Sequence, residues 1–121
     1  MTLERLPDRL TICKVEKLTD CNLEADFFLI GKTDEEISLV CRTDDAPSVT
    51  LAREDGWRGF RIQGTLDFSL VGVISRLSGI LAKHQIGIFA VSTYNTDYIL
   101  VKETDYDEAL EILASEGYTI I

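Results

Sequence analysis

The sequence predicts an α+β fold, and three observations carry that reading. Apolar residues recur at i+3 and i+4 spacing over Val71, Ile74, Leu77, Ile80 and Leu81, and again over Ala109, Leu110, Ile112 and Leu113, which marks two amphipathic helices. Alternating or unbroken apolar runs at 59–66, 86–93, 98–101 and 118–121 read as strands. The six elements interleave as β-α-β-β-α-β, the ferredoxin-like order.

The first strand alternates Phe60, Ile62 and Leu66 with polar neighbours, after a turn expected at Gly56-Trp57-Arg58-Gly59. Asp67-Phe68-Ser69 offers N-cap residues for the first helix, which is expected to end near Lys83 or His84. Ile86 opens a strand suited to burial, Asn95-Thr96-Asp97 supplies a turn, and Tyr98 opens the next strand. Thr104 and Asp105 are expected to cap the second helix, with Asp107 and Glu108 in its first turn, where negative charge suits the helix dipole. Gly117 is placed to stop that helix before a last strand.

The first half reads as a shortened copy of the second. Phe27-Phe28-Leu29-Ile30-Gly31-Lys32-Thr33-Asp34 aligns with Ile88-Phe89-Ala90-Val91-Ser92-Thr93-Tyr94-Asn95 at an offset of 61, as does Ile37-Ser38-Leu39-Val40 with Tyr98-Ile99-Leu100-Val101. Upstream, Leu10-Thr11-Ile12 matches Phe60-Arg61-Ile62 at an offset of 50. The missing 11 residues equal about three turns of helix, so the first copy is expected to lack most of its first helix and to keep only the connection 17–25. Pro47 interrupts its second helix, and Val49-Thr50-Leu51 reads as extended. The alternative is a single α+β domain whose strands share a β-rich composition.

Composition narrows the chemistry. Twelve Lys+Arg against twenty-one Asp+Glu leave a net charge of −9. Nucleic acid is therefore disfavoured as a partner, because phosphate backbones are held by clustered positive charge. No apolar run approaches a membrane span and the polar start does not read as a signal peptide, so no membrane is expected. Three irregularly spaced cysteines, Cys13, Cys21 and Cys41, point to reduced thiols in a cytoplasm. The single histidine, His84, rules out a His-rich metal site and reads as a surface residue at a helix end. No phosphate-loop, dinucleotide or nucleophile-elbow motif occurs. The acidic clusters Asp34-Glu35-Glu36, Asp44-Asp45 and Glu54-Asp55 lack EF-hand spacing and read as solvated turns. No catalytic residue, cofactor or metal is expected.

Two segments carry candidate binding chemistry. In Leu66-Asp67-Phe68-Ser69-Leu70-Val71-Gly72-Val73 a strand runs into a helix, whose first N–H groups and positive dipole end can meet a carboxylate. Gly72 permits close approach; the other reading is that Asp67 or Ser69 caps the helix and Gly72 serves packing. In Ser92-Thr93-Tyr94-Asn95-Thr96-Asp97, residues Thr93, Asn95 and Asp97 can orient a cation while Tyr94 offers a flat face; the other reading is an exposed loop. Together the segments would form a site with a donor end and an acceptor end, which fits a zwitterion.

Residues 60–121 resemble an ACT domain, a small regulatory fold that binds amino acids in biosynthetic enzymes. The stretches 66–74 and 89–101, with Glu35-Glu36-Ile37-Ser38-Leu39-Val40 and Gly56-Trp57-Arg58-Gly59-Phe60-Arg61, look more specifically like small stand-alone bacterial double-ACT proteins. Those are similar in turn to the ACT modules of aspartate kinases and CASTOR arginine sensors. The resemblance implies ligand binding where two ACT units meet, without catalysis. Contacts would come from Leu70, Val71, Gly72 and Val73 and from Thr93, Tyr94, Asn95, Thr96 and Asp97, with Asp97 facing a cationic end. Leu70 departs from CASTOR modules, which carry an acidic residue there.

The expectation is a non-enzymatic, cytoplasmic amino-acid-binding module of two tandem ACT-like units, an abbreviated one at 1–58 packed beside a complete one at 59–121. Its ligand contacts are Asp67, Ser69, Leu70, Val71, Gly72, Val73, Thr93, Tyr94, Asn95, Thr96 and Asp97, with Gly31, Lys32, Thr33 and 37–40 supplying the opposite wall. The alternative is a protein-interaction or oligomerisation module with a vestigial ligand site, pairing with itself or with a partner enzyme.

Overall fold

The computed structural model describes residues 1–67 and 69–121. Its strands are β1 (Thr2–Arg5), β2 (Leu10–Val15), β3 (Phe28–Lys32), β4 (Ile37–Arg42), β5 (Ala52–Ile62), β6 (Phe89–Ser92), β7 (Asp97–Lys102) and β8 (Thr119–Ile120); the helices are α1 (Val73–Ala82) and α2 (Glu103–Ser115). Residues 8–57 form one unit, and residues 1–7 with 58–121 form the other.

In the larger unit the strand path is β6-β7-β5-β1-β8. The order from β5 to β8 is the β-α-β-β-α-β of the sequence reading. The helical stripes and the inward strand positions meet in one core of Leu3, Phe60, Ile62, Leu77, Leu81, Ile99, Val101 and Leu113, all fully buried. Each such side chain contributes about 1.5–3 kcal/mol. Val71, placed on the α1 stripe by periodicity, is instead 90% exposed, because the helix begins only at Val73.

Strand β1 has no counterpart in the sequence reading. It has four residues, and only Leu3 is buried. It pairs antiparallel with β5, with Leu3 opposite Ile62, and parallel with β8, with Leu3 opposite Ile120. These ladders place residues 1–7 with 58–121, whereas the sequence division put them in 1–58.

Both helices stop in the same way. Tyr118 N–H donates to the Leu113 carbonyl and Gly117 N–H to Ala114, each at 3.1 Å; Ile86 N–H donates to Leu81 at 3.1 Å and Gln85 N–H to Ala82 at 3.0 Å. Such a stop needs one left-handed residue. Gly117 supplies it at φ +103 and Gln85 at φ +59. The start of α2 differs from expectation: it follows β7 directly at Glu103, and Lys102 rather than Thr104 or Asp105 is its N-cap, without a side-chain bond.

The smaller unit has the path β3-β4-β2-β5, with β2 antiparallel to both β4 and β5. Its core is Cys13, Val15, Cys21, Leu39 and Cys41. Single 3₁₀ turns, Leu18–Asp20 and Thr43–Asp45, are the helical elements in its connections. Strands β4 and β7 both have six residues, and each is followed at once by helical backbone. Lys32 pairs with Ile37 as Ser92 pairs with Asp97. The structural offset between these hairpins is therefore 60, not the 61 obtained by matching apolar residues.

Gly56-Trp57-Arg58-Gly59, expected as a turn, lies inside β5. Leu10 opposes Trp57 and Ile12 opposes Glu54, so two steps along β2 face three along β5. Gly56, at φ +83, takes up the extra residue of this bulge.

Candidate functional site

The first predicted segment leaves β5 and turns before entering α1. Asp67 does not cap the helix: its Oδ1 accepts the Ser69 amide at 2.8 Å, and its carbonyl accepts Leu70 N–H at 3.0 Å. That amide, seconded by the Ser69 hydroxyl, holds the Asp67 carboxyl below its ordinary value, so the group is charged. Phe68 lies outside the described residues. The N-cap is Gly72, at φ +77, a left-handed conformation suited to glycine.

A glycine cap leaves the helix start bare. Gly72 has no side chain to accept an amide, and its carbonyl is taken by Arg76 N–H at 2.9 Å. Among the described residues no oxygen accepts from the amides of Val73, Ile74 or Ser75. Three donors and the positive end of a ten-residue helix thus face outward together.

The second segment is the β6–β7 turn. Thr93 N–H and Oγ1 both donate to the Thr96 carbonyl, each at 2.8 Å, closing the hairpin. Thr96, 7% exposed, donates its hydroxyl to the Ile62 carbonyl at 2.7 Å. Both threonine hydroxyls therefore hold the turn in place. The side chains of Asn95 and Asp97 have no bonded partner among the described residues.

The Leu66 amide donates to the Asn95 carbonyl at 2.7 Å and joins the two segments. Between them lies a cleft of about 380 Å³, within the range of small-molecule sites. Its walls include Asp67, Leu70, Gly72, Val73, Thr93, Tyr94, Asn95, Thr96 and Asp97, nine of the eleven residues expected from sequence. Ser69 and Val71 are not among the lining residues. Ser69 is exposed and engaged with Asp67, while Val71 points to solvent.

The sequence reading missed Leu66, Ile74, Ser75 and Ser92. Leu66 and Ser92 flank the chosen segments, and Ser75 falls in the first helical turn once the start is set at Val73. Ile74 falls on the apolar stripe that periodicity turns toward the core. The described lining residues carry two carboxylates, Asp67 and Asp97, and no cationic side chain. The cleft thus offers amide donors, with Asp67 beside them, on the α1-start wall and the Asp97 carboxylate on the β6–β7 wall, so the amides and Asp97 can take opposite ends of a zwitterion.

Other groups lie apart from this chemistry. Cys13, Cys21 and Cys41 are free and buried, and burial raises all three thiols, Cys41 to about 12. Such thiols are poor nucleophiles. His84 sits beyond α1 with Nδ1 3.1 Å from the Ile80 carbonyl. Among the described residues no three His, Cys, Asp or Glu side chains gather to hold a metal, and no helix is long and apolar enough to cross a membrane.

Residues 52–115 match the family model described as the ACT domain. Among solved structures, a protein from Agrobacterium tumefaciens is 28% identical with a TM-score of 0.84, covering 99% of this chain and 91% of that one. A Vibrio cholerae protein of unknown function, described as a possible transport protein, gives 0.73 at 20% identity, over 94% and 88%. Aspartate kinase from Clostridium acetobutylicum gives 0.63 at 12% identity, over 92% of this chain and 32% of the kinase. Among curated proteins no significant match occurs.

Proposed function

We propose that this chain, which belongs to the ACT domain family, is a non-catalytic regulatory module that binds a free amino acid in the cleft between the α1 start and the β6–β7 turn. The observation that carries the reading is the placement, across one cleft, of the open Val73, Ile74 and Ser75 amides opposite the Asp97 carboxylate. The ligand carboxylate sits on the amides, each such charged bond contributing roughly 1.5–3 kcal/mol, and its ammonium faces Asp97. Association entropy reduces this gain and leaves an affinity in the micromolar to millimolar range. The smaller unit, with the strand path β3-β4-β2-β5 and 3₁₀ turns in its connections, is read as an abbreviated ACT-like repeat. The fold shared with aspartate kinase supports a regulatory role, and the three free thiols support a cytoplasmic setting.

Calorimetry with each of the twenty amino acids tests this. At least one is expected to bind, and more weakly to Asp97→Ala. Absence of any binding below about 10 mM removes the reading.

A second reading draws on the cleft's rim. Leu70, Val71 and Tyr94 are 51%, 90% and 79% exposed, and clustered exposed apolar groups favour a protein contact. A pure interaction module shows the same solution mass with and without amino acids, whereas a sensor that couples binding to assembly does not.

A further inference from the structure

On the larger unit, a groove of about 350 Å³ runs between α2 and β8, lined by Arg5, Asp107, Leu110, Glu111, Ala114 and Ile120. It shares no residue with the cleft described above. Among the described residues, strand β8 pairs with β1 alone. Thr119 and Ile121 donate to the Met1 and Leu3 carbonyls at 3.1 and 2.9 Å, and the Ile121 carbonyl accepts Arg5 N–H at 3.1 Å. Backbone groups alternate along a strand, so Ile120 between them turns its N–H and C=O to the open edge. Neither has a partner among the described residues.

The helical wall is acidic. Asp107 and Glu111 are exposed, stand one turn apart on α2, and have no ion-pair partner among the described residues. Like charges at that spacing repel. Arg5, the cation of the groove, directs its Nε to the Ile121 carbonyl at 3.2 Å.

We propose that this groove receives an extended basic segment of a partner protein, added as a strand to the open edge of β8. Extended backbone is required because Ile120 presents a donor and an acceptor side by side, as an edge strand does to an added one. Basic side chains are required by the unpaired Asp107 and Glu111. Leu110, Ala114 and Ile120 floor the same groove as Asp107 and Glu111, so the every-second side chains that face α2 are basic ones whose aliphatic stems lie on the floor while their charged ends reach the carboxylates. A second copy of this chain does not fit: edge-to-edge pairing would bring two sets of Asp107 and Glu111 together on chains of net charge −9.

The probe is the capped peptide Lys-Val-Lys-Val-Lys, labelled with a fluorophore and titrated with the full chain at physiological ionic strength. Lys-Gly-Lys-Gly-Lys and Glu-Val-Glu-Val-Glu serve as controls. The Lys-Val peptide is expected to bind at least about tenfold more tightly than either control, and to slow hydrogen exchange at the Ile120 amide. Asp107→Lys with Glu111→Lys is expected to lose about tenfold in affinity, while Asp34→Lys with Glu35→Lys, equal in charge change, keeps it. Circular dichroism verifies that both variants fold. Equal weakening by the two double variants shows attraction to net charge alone and overturns the proposal. So does unchanged exchange at Ile120, or a two-chain solution mass that Glu111→Lys abolishes.

Discussion

The Leu66 amide and the Asn95 carbonyl, 2.7 Å apart, tie the exit of β5 to the β6–β7 turn across 29 residues of chain. This bond sets the width of the candidate cleft, and it gives the local amides unequal fates. In hydrogen exchange of the free protein, Leu66 is expected to be protected while Val73, Ile74 and Ser75 exchange at nearly the rate of exposed amides. Protection at Val73–Ser75 equal to that at Leu66 would mean that the helix start is already satisfied.

Gly72 gives a test of backbone against space. A Cβ there meets no heavy atom within 4 Å, yet φ is +77. On helix propensity alone Gly72→Leu should cost little, but left-handed backbone costs a branched side chain about 1–2 kcal/mol. Thermal or urea unfolding should therefore show Gly72→Leu destabilised by that amount and Gly72→Asn by less, since Asn tolerates this region. Equal stability of the Leu variant would contradict the assigned cap.

Gln85 invites the reverse change. It holds at φ +59 the position that Gly117 holds at φ +103, and the flanking hydrogen bonds are alike. Gln85→Gly is expected to stabilise the protein by about 1 kcal/mol, read as a higher urea midpoint with an unchanged slope.

Acid sensitivity should follow Asp55 and Asp67. The Thr11 hydroxyl at 2.6 Å and then Arg53 at 2.9 Å hold the Asp55 carboxyl below its ordinary value, and the Ser69 amide does the same for Asp67. Because both folded values are depressed, their contribution is present above the ordinary carboxylate range and is lost as pH falls through the folded values. Stability should fall below roughly pH 4, with a shallower slope in Asp55→Asn.

The thiols should be silent in the folded state. Burial raises Cys41 to about 12 and pushes Cys13 and Cys21 upward as well. Alkylation at mildly alkaline pH is expected to track global unfolding at all three. Fast labelling of the native protein at Cys41 would contradict the packed core of the smaller unit.

How much of this was legible in the sequence depends on which residues speak through periodicity. Leu77, Leu81, Ala109 and Leu113 recur at helical spacing, and all four are fully buried. The two cleft segments were visible because each interrupts an apolar pattern with polar and small residues. Local signals that serve two purposes misled. Asp67 and Ser69 are good N-cap residues, but Asp67 closes its own turn, and glycine, only modestly favoured as an N-cap, takes the position at 72. Gly56 has the composition of a turn, yet it absorbs a bulge within an eleven-residue strand.

Pairing partners were the least accessible. Nothing near Leu3 announces that Thr2–Arg5 will lie between β5 and β8, since the partners are some 60 and 117 residues away. The hairpin offset of 60 was missed by one residue because apolar identity, not pairing register, guided the match. Thr93 and Thr96 look like ligand contacts in the sequence, whereas their hydroxyls close the turn and bind the Ile62 carbonyl.

The central claim is most directly tested by amide NMR of the full chain titrated with each amino acid in turn. The account predicts that at least one moves the signals of Val73, Ile74 and Ser75 together with those of Asn95 and Asp97, and leaves the smaller unit's Cys13 and Cys41 core unmoved. If none of the twenty moves the Val73–Ser75 amides at about 10 mM, or if the shifts fall elsewhere, the cleft is not the binding site.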